Sequence, residues 1–236
     1  MPRVNDSGRP TYSAIGQLMM HFTDNIWYSG SGALISNTQV LTCGHNIIAR
    51  DGHYADEIRF YSAWNQGAIP VVAGPVAGQT AHIRAQCAFY GNGYQNGEDK
   101  WDIGLVHLAA PVNLNPPHAY FSMQTVNDNS LVEQNLSIAG YPGNHPGEMW
   151  LDHDVVEGIS IPNNSLFHLH ETAAGSSGSP MYIYDAESDL LRLYAVHVQA
   201  PNMLRRATLL TPAIRQKLTT AQAHVAHGGP FTVHPM

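Results

Sequence analysis

Cysteine, lysine and charge are scarce in this sequence, and each scarcity excludes something. Of 236 residues, two are cysteine, two are lysine, and charged residues of both signs make up 12%. A net charge of -7 is therefore spread thinly over a surface built mostly of Asn, Gln, Ser, Thr, Gly and His, and no basic stripe exists to follow a nucleic acid backbone. Long apolar runs are absent as well, so no segment reads as a membrane span. The opening Met1-Pro2-Arg3 leads into polar residues and not into the apolar core of a signal peptide; if the protein is exported, its targeting segment is expected to lie outside this sequence. Neither an H-E-x-x-H helix nor a Cys/His cluster with zinc spacing occurs, so no catalytic metal is expected. The 14 histidines are read as replacing Lys and Arg on a low-charge surface. Cys43 and Cys87 are read as two buried free thiols, with a bridge between them as the alternative, since sequence does not say whether their Cα atoms approach within bonding distance.

What is present is strand pattern and turn residues. Short apolar or alternating runs at Ile15–Phe22, Gly32–Ile35, Gln39–Thr42, Glu57–Tyr61, His82–Phe89 and Ile103–Leu108 are separated by Gly, Pro, Asn and Asp clusters. A Pro- and Asn-rich stretch, Ala110–Asn129, reads as a linker. Strands then resume at Leu136–Ala139, Trp150–Ile161, Leu166–His170, Pro180–Tyr184, Leu191–Gln199 and Ala207–Leu209. The pattern predicts an all-β barrel or sandwich in two strand groups. One helix is expected, from Pro212 to about His224, with Ile214, Leu218 and Ala221 on one face and proline in the first turn.

Three motifs carry chemistry. Gly175-Ser176-Ser177-Gly178-Ser179-Pro180 places a serine between glycines, on a backbone able to bend sharply and to aim a hydroxyl and two amides at one point. Acyl transfer needs such a point, with N–H donors where a carbonyl oxygen becomes an anion. Val40 to Ile47 is an apolar run ending in small residues and then His45, a candidate general base. Within Trp101 to Leu108, Asp102 opens an alternating apolar strand and is a candidate to orient that histidine. The order His, Asp, Ser is that of the chymotrypsin-type triad; the subtilisin and α/β-hydrolase types run in other orders.

On these motifs the chain resembles the trypsin-like serine proteases and, within them, the largely bacterial, secreted glutamyl endopeptidases. The matching stretches include Ser31-Gly32-Ala33-Leu34-Ile35, Leu41 to His45, Asp102 to Leu105, Ala139-Gly140-Tyr141-Pro142-Gly143, Glu171 through Pro180, Ala195-Val196-His197 and Arg206-Ala207-Thr208. The resemblance implies two packed six-stranded antiparallel β-barrels with a C-terminal helix. The first, residues 1–115, would carry His45 and Asp102; the second, residues 116–236, would carry Ser177, the helix and the tail. It implies His45 as base, Asp102 as its orienter, Ser177 as nucleophile and the amides of Gly175 and Ser177 as the oxyanion hole. It further implies no cofactor, a protein or peptide substrate, action as a monomer and secretion. Thr172 and His197 occupy the places that bind a substrate carboxylate in glutamyl endopeptidases, implying cleavage after Glu or Asp, with affinity falling as pH rises if His197 must be protonated to bind. Glu171 stands where trypsins carry an acid, so cleavage after Lys or Arg is the enzymatic alternative, and a catalytically silent binding module is the non-enzymatic one. Val198-Gln199-Ala200-Pro201 departs from the family's usual glycines after the His197 strand, which alters the expected substrate groove.

Overall fold

Alternation puts every second side chain of these runs on one face, and curling the paired strands into closed barrels buries that face. The computed structural model describes residues 2–65, 82–114, 119–199, 204–223 and 231–236. The first barrel comprises β1 (Ile15–Phe22), β2 (Trp27–Leu34), β3 (Gln39–Thr42), β4 (Ala55–Ser62), β5 (Ile83–Tyr90) and β6 (Gly104–Leu108), in the order β5-β4-β1-β2-β3-β6, and an antiparallel β5–β6 pairing closes it. A short strand β7 (Ser122–Met123) follows. The second barrel comprises β8 (Asn135–Gly140), β9 (Trp150–Ser160), β10 (Ser165–His168), β11 (Pro180–Asp185), β12 (Leu190–Gln199) and β13 (Arg205–Leu209), in the order β11-β8-β9-β10-β13-β12, closed by β11–β12. This is the expected pair of closed six-stranded barrels.

Differences from the expected elements have local reasons. β2 begins at Trp27 and not at Gly32, because residues 27–31 pair in register with β1 (His21↔Trp27, Met19↔Ser29) although their Ser and Gly carry no alternation. The stretch expected to be a linker contributes β7, which pairs in parallel with β12 through Arg192↔Ser122. The expected boundary at 115/116 lies outside the described residues, as do Ala200, Pro201, His224 and His227. A four-residue helix, α1 (Pro10–Ser13), was not legible from periodicity. The later helix, α2 (Pro212–Gln222), buries Ile214, Leu218 and Ala221 as its spacing predicts, and Thr211 caps it by accepting from the Ile214 amide at 3.4 Å. Its last turn packs on the first barrel, where His107 Nε2 meets the Ala221 carbonyl oxygen at 3.0 Å.

The two chain ends cross over. Val4 donates its amide to the Met149 carbonyl and Arg3 bridges to Trp150, so residues 2–4 lie on the second barrel. The final strand β14 (Thr232–Pro235) runs parallel to β5 and widens the first barrel. Phe121 meets Tyr182 edge-on within the main core, which gathers residues of both barrels. Each such apolar side chain contributes about 1.5–3 kcal/mol on burial.

The reading of histidine as a surface substitute is corrected in part. His107, His168, His170 and His197 are buried, the last three in the second barrel's β10–β12 region, where an imidazole supplies a neutral donor and acceptor that Lys or Arg cannot. Both cysteines are buried and free. Among the described residues no helix is long and apolar enough to cross a membrane.

Candidate active site

Strand register brings His45 and Asp102 together. β3 and β6 are antiparallel with Thr42 opposite Gly104, so the segment leaving β3 runs past the segment entering β6. After Thr42 the chain makes one 3-10 turn, Gly44–Asn46, which presents the His45 ring to the Asp102 carboxylate. Asp102 Oδ1 accepts the main-chain N–H of His45 at 2.9 Å, and Oδ2 lies 2.8 Å from Nδ1. An ionised carboxylate only accepts, so the ring proton belongs on Nδ1 and the lone pair on Nε2. Burial disfavours the imidazolium, yet the Asp102 charge, then the Cys43 sulfur, and the hydrogen bond to Asp102 outweigh it and hold the His45 pKa well above its ordinary value. Burial likewise pushes the Asp102 carboxyl up, and the His45 charge and bonds more than reverse this, leaving it below the ordinary carboxylate range. Thr208 of β13 donates its hydroxyl to the Asp102 carbonyl oxygen at 2.7 Å, so the second barrel grips the acid from the far side.

The serine segment is held by the first barrel. Gly175 and Gly178 have φ of 92° and 90°, the left-handed region that glycine alone adopts without strain. A Cβ on Gly178 would collide with the Ser31 carbonyl oxygen and the Thr42 hydroxyl, and one on Gly175 would meet the Tyr141 carbonyl oxygen. The Ser177 carbonyl accepts from the Ser31 amide at 2.8 Å and from Asn46 Nδ2 at 3.0 Å, while the Ser31 hydroxyl donates to the Gly175 carbonyl at 2.9 Å. With its carbonyls fixed in this way, the segment leaves the Gly175 and Ser177 amides without a protein acceptor among the described residues.

His45, Asn46, Ala174, Gly175 and Ser177 line one cleft, of about 380 Å³, where the barrels meet. The Ser177 hydroxyl makes no hydrogen bond to the imidazole among the described residues; the atom 3.5 Å from His45 Nε2 is Cys43 Sγ. Along the 172–175 segment a second cavity of about 340 Å³ adjoins, with Thr172, Arg205, His145, Trp150 and Glu171 in its wall. Thr172 Oγ1 is buried there without a partner. His197 is not in the wall of either cavity: it is buried on β12, with Nδ1 3.1 Å from His168 Nε2. Burial and then the nearby His45 charge push its pKa down to about 3, so it is neutral in the free protein.

Sequence reasoning did not single out Asn46, Thr42, Arg205 or Thr208 as site residues. For Asn46 a signal existed, an amide donor directly after the candidate base. Thr208 stood only inside the matching stretch Arg206-Ala207-Thr208, its role arising across the barrels at Asp102, and Arg205 carried no signal, since the fold of its own barrel brings it beside Thr172.

No family model matches the sequence, and no curated protein matches it. Solved structures do. A Glu endopeptidase superposes with a TM-score of 0.75 at 20% identity, covering 94% of this chain and 96% of that one. The protease Anisep from Arthrobacter nicotinovorans gives 0.70 at 18% identity, covering 90% and 96%. A thermostable serine protease, AL20, from an extremophilic microorganism gives 0.70 at 14% identity, covering 91% and 100%. The chain therefore has the chymotrypsin-type double-barrel fold found in these serine proteases.

Proposed function

We propose that the protein is a serine endopeptidase that cleaves after Glu or Asp. The observation that carries this reading is the His45–Asp102 pair, bonded at 2.8 Å and opening on the same cleft as Ser177 and Gly175. His45 Nε2 takes the Ser177 Oγ proton as the oxygen attacks the peptide carbonyl, and Asp102 stabilises the imidazolium. The Gly175 and Ser177 amides hold the oxyanion. The C–N bond breaks as the imidazolium gives its proton to the leaving amine, and an acyl ester remains on Ser177. Water then loses a proton to Nε2, attacks the ester and releases the acid, and the proton returns to Oγ. No cofactor enters these steps, and the substrate is a protein or peptide taken by a single copy of the chain outside the cell.

Support for acidic specificity comes from the second cavity. Thr172, whose buried hydroxyl has no partner, and Arg205 line the same cavity, and together they would offer a carboxylate a hydroxyl donor and a positive charge. His197, buried on β12 against His168, is not part of that wall. Glu171 in the same wall favours the second reading, cleavage after Lys or Arg.

A serine-directed phosphonylating probe tests the nucleophile, with Ser177→Ala as control, and a peptide library tests the pocket. Labelling that disappears in the variant, with cuts after Glu or Asp, is the expected outcome. Cuts after Lys or Arg refute the specificity alone. A folded sample that neither labels nor cleaves refutes the enzyme and leaves a binding module.

A further inference from the structure

One polar contact in the site has no part in the mechanism above. Cys43 is buried two residues before the proposed base, and its Sγ lies 3.5 Å from His45 Nε2, the atom that must be free to accept the Ser177 proton. Cys43, His45 and Asp102 each offer a ligand atom within 4.8 Å of the others.

We propose that Cys43 Sγ and His45 Nε2 form a binding site for a thiophilic divalent cation, Zn²⁺ being the type, and that its occupancy shuts the enzyme off. The spacing is the first argument. With Zn–S near 2.3 Å, Zn–N near 2.0 Å and an angle of about 109°, two ligands of one tetrahedral ion stand about 3.5 Å apart. The ring and thiol already have that separation, so the ion needs little rearrangement to bridge them.

The second argument is the tautomer. Because Nδ1 gives its proton to Asp102 at 2.8 Å, the Nε2 lone pair is available, and carboxylate, imidazole and metal fall in the order by which proteins orient metal-binding histidines. Asp102 thus serves from behind the ring and is not a ligand. The cleft that His45 lines gives the ion a way to the ring, behind which the buried Cys43 lies. Binding replaces the thiol proton, which leaves to solvent, and forms one Zn–S and one Zn–N bond without any change of oxidation state. A bridged Nε2 has no lone pair for the Ser177 proton. This inhibitory consequence rests on the proposed peptidase function, whereas the binding itself does not.

The test uses Co²⁺ as a visible stand-in and Zn²⁺ as inhibitor. Wild type and Ser177→Ala are both expected to develop a Co²⁺–thiolate charge-transfer band at one equivalent, and Cys43→Ala is expected to show none. Zn²⁺ should slow peptide cleavage and probe labelling by wild type, with recovery on adding EDTA. Cys43→Ala, compared with its own zinc-free rate, should need at least about tenfold more Zn²⁺. Should Cys43→Ala misfold, Cys43→Ser replaces it with the same expectation. Equal zinc sensitivity with and without the thiol, or no thiolate band in folded wild type, overturns the site. A thiolate band in a protein that never cleaves supports the site and refutes the peptidase reading instead.

Discussion

Replacing Asp102 by Asn changes one atom and reverses the roles of a hydrogen-bonded group. In the native arrangement the carboxylate accepts twice from His45, from the main-chain N–H at 2.9 Å and from Nδ1–H at 2.8 Å. An amide has one acceptor oxygen. If that oxygen keeps the main-chain bond, the NH₂ faces Nδ1, which must then be the acceptor, and the ring proton moves to Nε2. If the amide turns over to serve Nδ1, the buried main-chain N–H loses its partner, at a cost of about 1–3 kcal/mol. The favoured form therefore holds a base that is already protonated where it should accept. In triads of this kind the change lowers kcat by about 10⁴, which is about 5.4 kcal/mol of barrier.

The substitution also removes the largest of the charges that keep the His45 pKa high. In the wild type, kcat/KM should rise with pH through a His45 pKa above about 6.5, and in Asp102→Asn that limb should move to lower pH. Stability follows the same linkage. A folded pKa raised above the unfolded value adds stability that is fully present below about pH 6.5 and fades as pH rises through the folded value. The depressed Asp102 pKa adds stability present above about pH 4 and lost as pH falls through its folded value. The Tm difference between wild type and variant should thus be widest between these limits and narrow in alkali. Steady-state kinetics and thermal melts across pH measure both effects. A variant within tenfold of wild-type kcat at neutral pH, with an unmoved acid limb, would refute the orienting role of Asp102.

Further outcomes follow from the contacts around the pair. Gly178→Ala places a methyl against the Ser31 carbonyl oxygen at a φ of 90°, and the left-handed strain alone costs about 1–2 kcal/mol; Tm should fall by about 4 °C or more, together with probe labelling. Thr42→Val removes a buried hydroxyl that donates to Ser31 at 2.8 Å and accepts from Asn46 at 2.9 Å, so chemical denaturation should report a loss of about 1–3 kcal/mol. Thr208→Val strips the Asp102 carbonyl of its 2.7 Å donor, with a loss in the same range of about 1–3 kcal/mol and a lower kcat at unchanged KM. Thr172→Val should leave Ser177 labelling intact while lowering the preference for Glu over Gln before the cut by about tenfold, read from competing peptides.

Much of this was legible before any coordinates, for physical reasons that differ by element. β1 and β3 fall on the expected residues because both are short, largely apolar runs with turn residues on both sides. β14 has no sequence signal because Thr232 to Pro235 is too short to show a period; only its pairing with Cys87 to Tyr90 makes it a strand. The candidate triad stood out because glycine-flanked serine, strand-end histidine and strand-start aspartate each carry a local mark. Thr208 and Ser31 stand in stretches that match the family but carry no chemical mark of their own: their importance comes from carbonyls of the opposite barrel, and pairings across 106 and 144 positions leave no trace in local composition. The buried cluster of His168, His170 and His197 was hidden for the opposite reason, since histidine is equally at home on a polar surface and in a satisfied interior.

The crossing of the two chain ends makes the halves hostages of one another. Residues 2–4 clasp the half that follows them in sequence, and residues 232–235 pair with the half synthesised first. A single scission of the connection between the halves would leave two fragments still laced together at both extremities, with the His45 and Ser177 sides of the cleft in place. Such lacing would turn a break in the connection into a nick and not a dissociation.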